Sequence, residues 1–286
     1  MNWFILTLIS SITLSLREFS VKRAARKIPS AFMSFGINFS MFLFFLFLNI
    51  LFKNTHEVTP VFAGIVFFAA VLDSLATLLY LSAIKNGDLS KIIPMLCFVP
   101  VIQLFVTPFL IHENLSLVGI LGVLIVVCGS YLLNIETWEG FLSPFKSAFK
   151  DKNTMMMLAV ACLWGISSSF HKMGVKQTNA LFWGLCEIGL ISVILFPFAV
   201  RTGKTHFNFH DIKKTFLPAF FSTLTVLSYY FAIGLGPVAY VSAVRRLGVL
   251  FTMIMGIVVL KESIRRLGFL GGIIMIAGAV LISLFG

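Results

Sequence analysis

The feature that constrains this chain most is where its charges are. They gather in short gaps, and between the gaps run ten apolar segments: roughly 1–17, 31–52, 58–83, 89–111, 115–135, 154–171, 179–200, 214–233, 238–260 and 267–285. A bilayer core about 30 Å thick is crossed by roughly 20 apolar residues in a helix. A helix also satisfies its own backbone in lipid, which an open strand cannot do. The expected fold is therefore an all-α membrane protein with ten transmembrane helices. The balance of 59% hydrophobic to 12% charged residues agrees, because soluble domains carry about 25% charge. A soluble fold of this composition would expose apolar patches on every side. The net charge of +11 does not point to nucleic acid, since the basic residues share no soluble face. The four cysteines, Cys97, Cys128, Cys162 and Cys186, lie in apolar runs without metal-ligand spacing.

The gaps carry an orientation signal. Those after odd-numbered spans hold 17 of the 22 Lys and Arg residues, whereas the opposite gaps hold Lys53, Lys172 and Lys176. The positive-inside rule puts the odd-to-even loops in the cytoplasm and both termini outside. The N-terminal run lacks a preceding basic region and does not read as a cleavable signal. The longest link, residues 136–153, separates residues 1–135 from 154–286 and leaves no room for an extramembrane domain. The expected location is integral and multi-pass, in a plasma or inner membrane.

The two halves match at an offset of 149 residues. Ala83 pairs with Ala232, Gly87 with Gly236, Glu113 with Glu262, Gly119 with Gly268 and Gly129 with Gly278. With five spans per half, the second copy enters the membrane from the opposite side. This is an inverted-topology repeat, an arrangement common in secondary transporters. The glycines of spans five and ten suit close helix contact, within one chain or between two. Glu113 and Glu262 end spans four and nine. They read as helix-terminal charges, or as locks in which each carboxylate pairs with a basic residue or backbone donor.

The stretches "AIKNGDLSKIIPMLCFVPVIQLFVTPFLIHENLSLVGILGVLIVVCG" and "AIGLGPVAYVSAVRRLGVLFTMIMGIVVLKESIRRLGFLGGIIMIAGAVLI", with "ACLWGISSSFHKMG" at the start of the second half, resemble the drug/metabolite transporter superfamily, specifically the EamA-like permeases. The first half lacks the Trp-Gly pair found at Trp164–Gly165. The resemblance implies two inverted five-helix units around a central cavity. It also implies movement of small metabolites, often as efflux, without an attached ATPase. It does not specify the substrate.

Polar residues within the spans are the substrate-site candidates. Arg245 and Arg246 fall about eight residues into span nine, roughly 10–12 Å deep. Charges there are expensive and usually face a polar interior. One is expected to face the cavity and bind an anionic group, while the other pairs with a carboxylate or helix end. Glu187 and Asp73 are counter-charge or proton-carrying candidates, and Asn38 is the repeat counterpart of Glu187. Trp164 and Tyr240 are candidate cavity residues, alongside an anchoring or packing role. Tyr80, Tyr229 and Tyr230 are read in the same way. Pro94, Pro100 and Pro108 are expected to bend span four. His171 and Lys172 are expected at the interface after span six.

Among function classes, an enzyme is disfavoured because there is no HExxH, no glycine-framed serine and no paired histidines in a span. No catalytic residue, cofactor or metal is assigned. The leading reading is a secondary permease for an anionic or amphipathic small metabolite, working by efflux or exchange. A flippase of an anionic lipid-linked substrate and a non-transporting membrane scaffold are the alternatives. Expected partners are the small-molecule substrate and membrane lipid. Proton coupling and a homodimer stay open.

Overall fold

Each apolar run becomes helix. The computed structural model describes residues 2–24, 30–86, 92–134, 151–202, 209–260 and 266–286. The first half contains α1 (Asn2–Ala24), α2 (Ser30–Leu51), α3 (Pro60–Asn86), a short 3-10 helix (Ile93–Phe98) continued by α4 (Val99–Ile111), and α5 (Leu117–Asn134). The second half contains α6 (Lys152–Gln177), α7 (Ala180–Thr202), α8 (Phe209–Leu235), α9 (Val238–Arg245) continued by α10 (Leu247–Leu260), and α11 (Arg266–Phe285). Counting each broken span once, nine segments among the described residues can cross a membrane, and Leu117–Leu133 is a shorter tenth. Phe105, Phe109, Leu117 and Val193 point outward from the bundle. In a membrane this apolar exterior meets lipid rather than water.

The packing follows the repeat. α1 lies on α8 as α3 lies on α6, while α2 pairs with α7 and α5 with α11. Exchanging the first five spans for the last five maps each of these pairs onto itself or onto another of them. The protein is thus an all-α membrane fold of two inverted five-helix repeats. Glycines set the α5–α11 distance. A Cβ on Gly129 would lie 2.6 Å from the Gly271 carbonyl oxygen, and one on Gly278 would lie 2.8 Å from that of Gly122. Of the two roles open to these glycines, the structure shows the contact within one chain. α1 joins α8 differently, through a hydroxyl stripe. Ser10 donates to the Thr225 carbonyl at 2.8 Å, and Thr225 donates to Thr13 at 2.9 Å. Such small polar side chains hold helices together where water is absent.

Spans four and nine are both broken, at repeat-equivalent places. Pro94 and Pro100 occupy the first turns of the two pieces of span four, where a missing N–H is harmless. Pro108 lies inside α4. In span nine, α9 stops at Arg245, and Arg246 forms the joint before α10. A break frees backbone carbonyls, which lipid cannot satisfy. Here Ser11 Oγ lies 3.3 Å from the carbonyl oxygens of both Val244 and Arg245. The Leu96 carbonyl, on the other break, accepts from Arg246 Nη2.

Two expectations about boundaries need correction. The first span extends beyond residue 17 to Ala24. The sixth does not end at 171 but continues to Gln177, because "FHKMGVKQ" contains no breaker before Thr178–Asn179. His171 and Lys172 are therefore buried helix residues and not interfacial ones. Asn179 then starts α7, its Oδ1 accepting the N–H groups of Leu181 at 3.0 Å and Phe182 at 2.9 Å, as a helix N-cap does.

Candidate functional site

The middle of the bundle holds a cluster of ionisable groups drawn from both repeats. Asp73 lies halfway along α3. It is buried there and accepts from Ser167 Oγ of α6 at 2.8 Å. His171, one helical turn after Ser167, places Nε2 3.2 Å from the other Asp73 carboxylate oxygen. Glu187 of α7 is 1% exposed and accepts a 2.5 Å hydrogen bond from the Tyr230 hydroxyl of α8. One ligand-type atom each from Asp73, His171 and Glu187 falls within 4.8 Å of the others. The Trp183, Tyr229 and Tyr230 rings surround His171, with centroids at 5.8, 6.5 and 5.4 Å. Gly174 permits this enclosure, since a Cβ there would collide with the Trp183 ring.

Helix ends give the depth. His171 is six residues from the end of α6, and Glu187 is seven from the start of α7. At about 1.5 Å per residue, both are roughly 10 Å inside the face that carries the 178–179 turn. An ion this deep in a bilayer needs a partner or a function. Asp73 is partnered by Ser167 and His171, and Glu187 by Tyr230. Neither acid forms an ion pair with Arg245 or Arg246 among the described residues, so the direct counter-charge expectation is corrected.

The two arginines have separate environments. Arg246 is committed to the Leu96 carbonyl, which is a helix-end contact. Arg245 stacks on Tyr229 with its guanidinium carbon 4.6 Å from the ring centroid. Its Nε is buried without a hydrogen-bond partner. Cation–π stacking contributes roughly 0.5–2 kcal/mol and leaves the guanidinium edge able to donate. On α4, Gln103 donates to Ser168 Oγ of α6 at 2.6 Å, while its own Oε1 is buried and unpartnered.

The other candidates lie elsewhere. Asn38 Nδ2 donates to the Ser34 carbonyl on its own helix at 2.9 Å. The Trp164 ring packs against Tyr80, with centroids 5.7 Å apart. Tyr240 is buried beside Gly119, and its hydroxyl accepts the Ser116 N–H at 2.8 Å, away from the acids. Glu113 is buried with Lys172 in an ion pair, while its carboxylate oxygens accept the Val238 N–H at 3.2 and 3.1 Å. Gly236 contributes its carbonyl to Lys172 Nζ at 2.7 Å. Glu262 and Gly87 lie outside the described residues. Sequence reasoning missed the site roles of His171, Lys172, Ser167 and Gln103. The available signal was the spacing of Trp164, Ser167, Ser168 and His171, which puts four residues on one helical face once α6 is allowed its full length.

Comparison with known proteins agrees with this architecture. No curated protein matches the chain. A solved structure titled "Crystal structure of protein" has a TM-score of 0.79 at 10% identity, covering 99% of this chain and 98% of that chain. At that identity the likeness shows the fold alone. The model of the EamA-like transporter family matches residues 1–135 and 152–284, one segment for each five-helix repeat, and the chain belongs to that family.

Proposed function

We propose that the chain is a secondary permease that holds the anionic group of a small metabolite at Arg245. A proton exchanges on the Asp73–His171–Glu187 cluster during the cycle. The direction is efflux or exchange. The observation that carries this reading is the contrast between neighbouring arginines. Arg246 is spent on a backbone carbonyl, whereas Arg245 has an aromatic face beneath it and an unpartnered Nε. A guanidinium in that state suits a carboxylate or phosphate, which accepts charge-assisted hydrogen bonds from it.

The acids support the coupling half of the reading. Two buried carboxylates and a histidine hold their polar atoms within 4.8 Å of one another, near enough to pass a proton among them. The cluster sits among α3, α6, α7 and α8, helices of both repeats. Relative movement of the repeats therefore changes its surroundings. In inverted-repeat transporters, coupling sites lie in this kind of place.

The test is flux into liposomes containing the purified protein, with a panel of carboxylate and phosphate metabolites, with and without a pH gradient. Arg245→Gln is expected to lower flux of the accepted substrate at least tenfold, and Arg245→Lys to retain part of it. Normal transport by Arg245→Gln would overturn the anion assignment. Wild-type protein that moves no member of the panel would favour the scaffold reading.

A further inference from the structure

We infer that Lys172 and Glu113 form the latch that closes one face of the protein, and that the latch is tied to the ionisable cluster through helix α6. The inference rests on the transport reading above, but it concerns residues that the reading leaves unused. Lys172 is 6% exposed. Its Nζ pairs with Glu113, just beyond α4, and donates to the Gly236 carbonyl in the α8–α9 turn. Glu113 in turn accepts the Val238 N–H, the first of α9. One lysine and one carboxylate thus join a segment of the first repeat to two segments of the second.

The closure extends across that face. Asn54, after α2, and Asn179, after α6, exchange reciprocal amide hydrogen bonds of 3.0 and 2.7 Å. Asn179 also meets His56 Nε2 at 2.7 Å. All four links involved, after α2, α4, α6 and α8, lie on one side of a ten-span topology. The two contacts are therefore two points on one seam between the repeats. Opening that side to substrate requires the seam to part. The buried ion pair is a charge-assisted fastening of that seam, backed by the Gly236 carbonyl and the Val238 N–H.

Lys172 follows His171 in sequence. Adjacent positions on a helix point about 100° apart, so α6 presents one to the cluster and the other to the seam. The groups facing His171 are Asp73 of α3, Glu187 of α7, Tyr229 and Tyr230 of α8, and Arg245 of α9. Those facing Lys172 are Glu113 and the Gly236 carbonyl, with Lys176 of its own helix nearby. A turn or shift of α6 that answers a change of charge at His171 necessarily moves Lys172. Lys172 is in this sense a positioning residue for transport, not a substrate ligand.

The test needs no substrate. Spin labels at Asn114→Cys and Gln177→Cys, both exposed and outside the latch, report the distance across the seam in cysteine-free protein in nanodiscs. The parent protein is expected to show one short distance. Lys172→Gln and Glu113→Gln are expected to populate a longer one at least fivefold more, and Lys172→Arg to restore the short one. His171→Asn, which leaves the latch residues in place, is expected to change the ratio of the two populations. Unchanged distances in a folded Lys172→Gln protein, verified by size-exclusion and thermal unfolding, would overturn the latch. An unchanged ratio in His171→Asn would overturn its tie to the cluster. Failure of Arg245 variants to affect flux would leave both distance results intact.

Discussion

Arg246 Nη2 donates to the carbonyl oxygen of Leu96, so the broken helix of one repeat is tied to the broken helix of the other. The repeat offset of 149 makes Leu96 the counterpart of Arg245 and Cys97 that of Arg246. The two discontinuities therefore meet where the pseudo-twofold axis brings spans four and nine together. Inserting a charge at this point ties the two breaks together through a carbonyl that also accepts the Val99 N–H.

This separates the two arginines experimentally. Arg246→Met removes a charge-assisted hydrogen bond to the Leu96 carbonyl, which keeps the Val99 N–H, a loss of about 1.5–3 kcal/mol for a bond to a charged group. Arg245→Met removes a stacked cation whose side chain makes no backbone hydrogen bond among the described residues. The first variant is expected to melt several degrees lower in detergent and the second to melt near the parent while losing flux. Thermal unfolding alongside liposome flux checks both.

The glycines of α5 make a second contrast. Gly129→Ala would push a methyl against backbone atoms of α11 at 2.6–2.7 Å, and backbone cannot swing aside. Overpacking of that kind costs typically 1–3 kcal/mol. Gly64→Ala in α3 meets nothing within 4 Å and gains up to about 1 kcal/mol of helix propensity. Melting temperatures of the two variants are expected to move in opposite directions.

Glu187→Gln keeps the size of the side chain and an acceptor for Tyr230, but it cannot carry a proton. If the cluster couples protons to transport, this variant exchanges labelled for unlabelled substrate at a rate within a few fold of the parent. It then fails to accumulate substrate against a gradient when driven by pH. Retained pH-driven accumulation would exclude Glu187 as a coupling group.

His112 closes α4 in the left-handed region, at φ 52° and ψ 42°. For a residue with a Cβ this conformation costs roughly 1–2 kcal/mol, and glycine avoids the strain. The His112 side chain is exposed. His112→Gly is expected to raise the unfolding temperature modestly without changing flux.

Much of the site was legible residue by residue, but its pairing was not. Asp73, Glu187, Arg245 and Glu113 stand out because charge inside a lipid-length run is rare and expensive. His171 and Lys172 read as interfacial from sequence because the apolar run ends with Phe170. Buried partners, not hydropathy, carry α6 onward to Gln177. Tyr240 reads from sequence as a candidate cavity residue, alongside an anchoring or packing role. The ring instead points to Gly119 and the Ser116 N–H.

The sequence by itself determined the number of spans and their duplication, because burial of apolar surface is a local sum and a repeat is a local comparison. It also determined that a few polar groups had to be enclosed. Which of them meet was decided only by tertiary structure. Helix rotation and the breaks in spans four and nine set the partners, across separations of 59 residues for Glu113 and Lys172 and 150 for Leu96 and Arg246. No run of hydropathy encodes such a contact, since its energy exists only once both groups have left water and found each other.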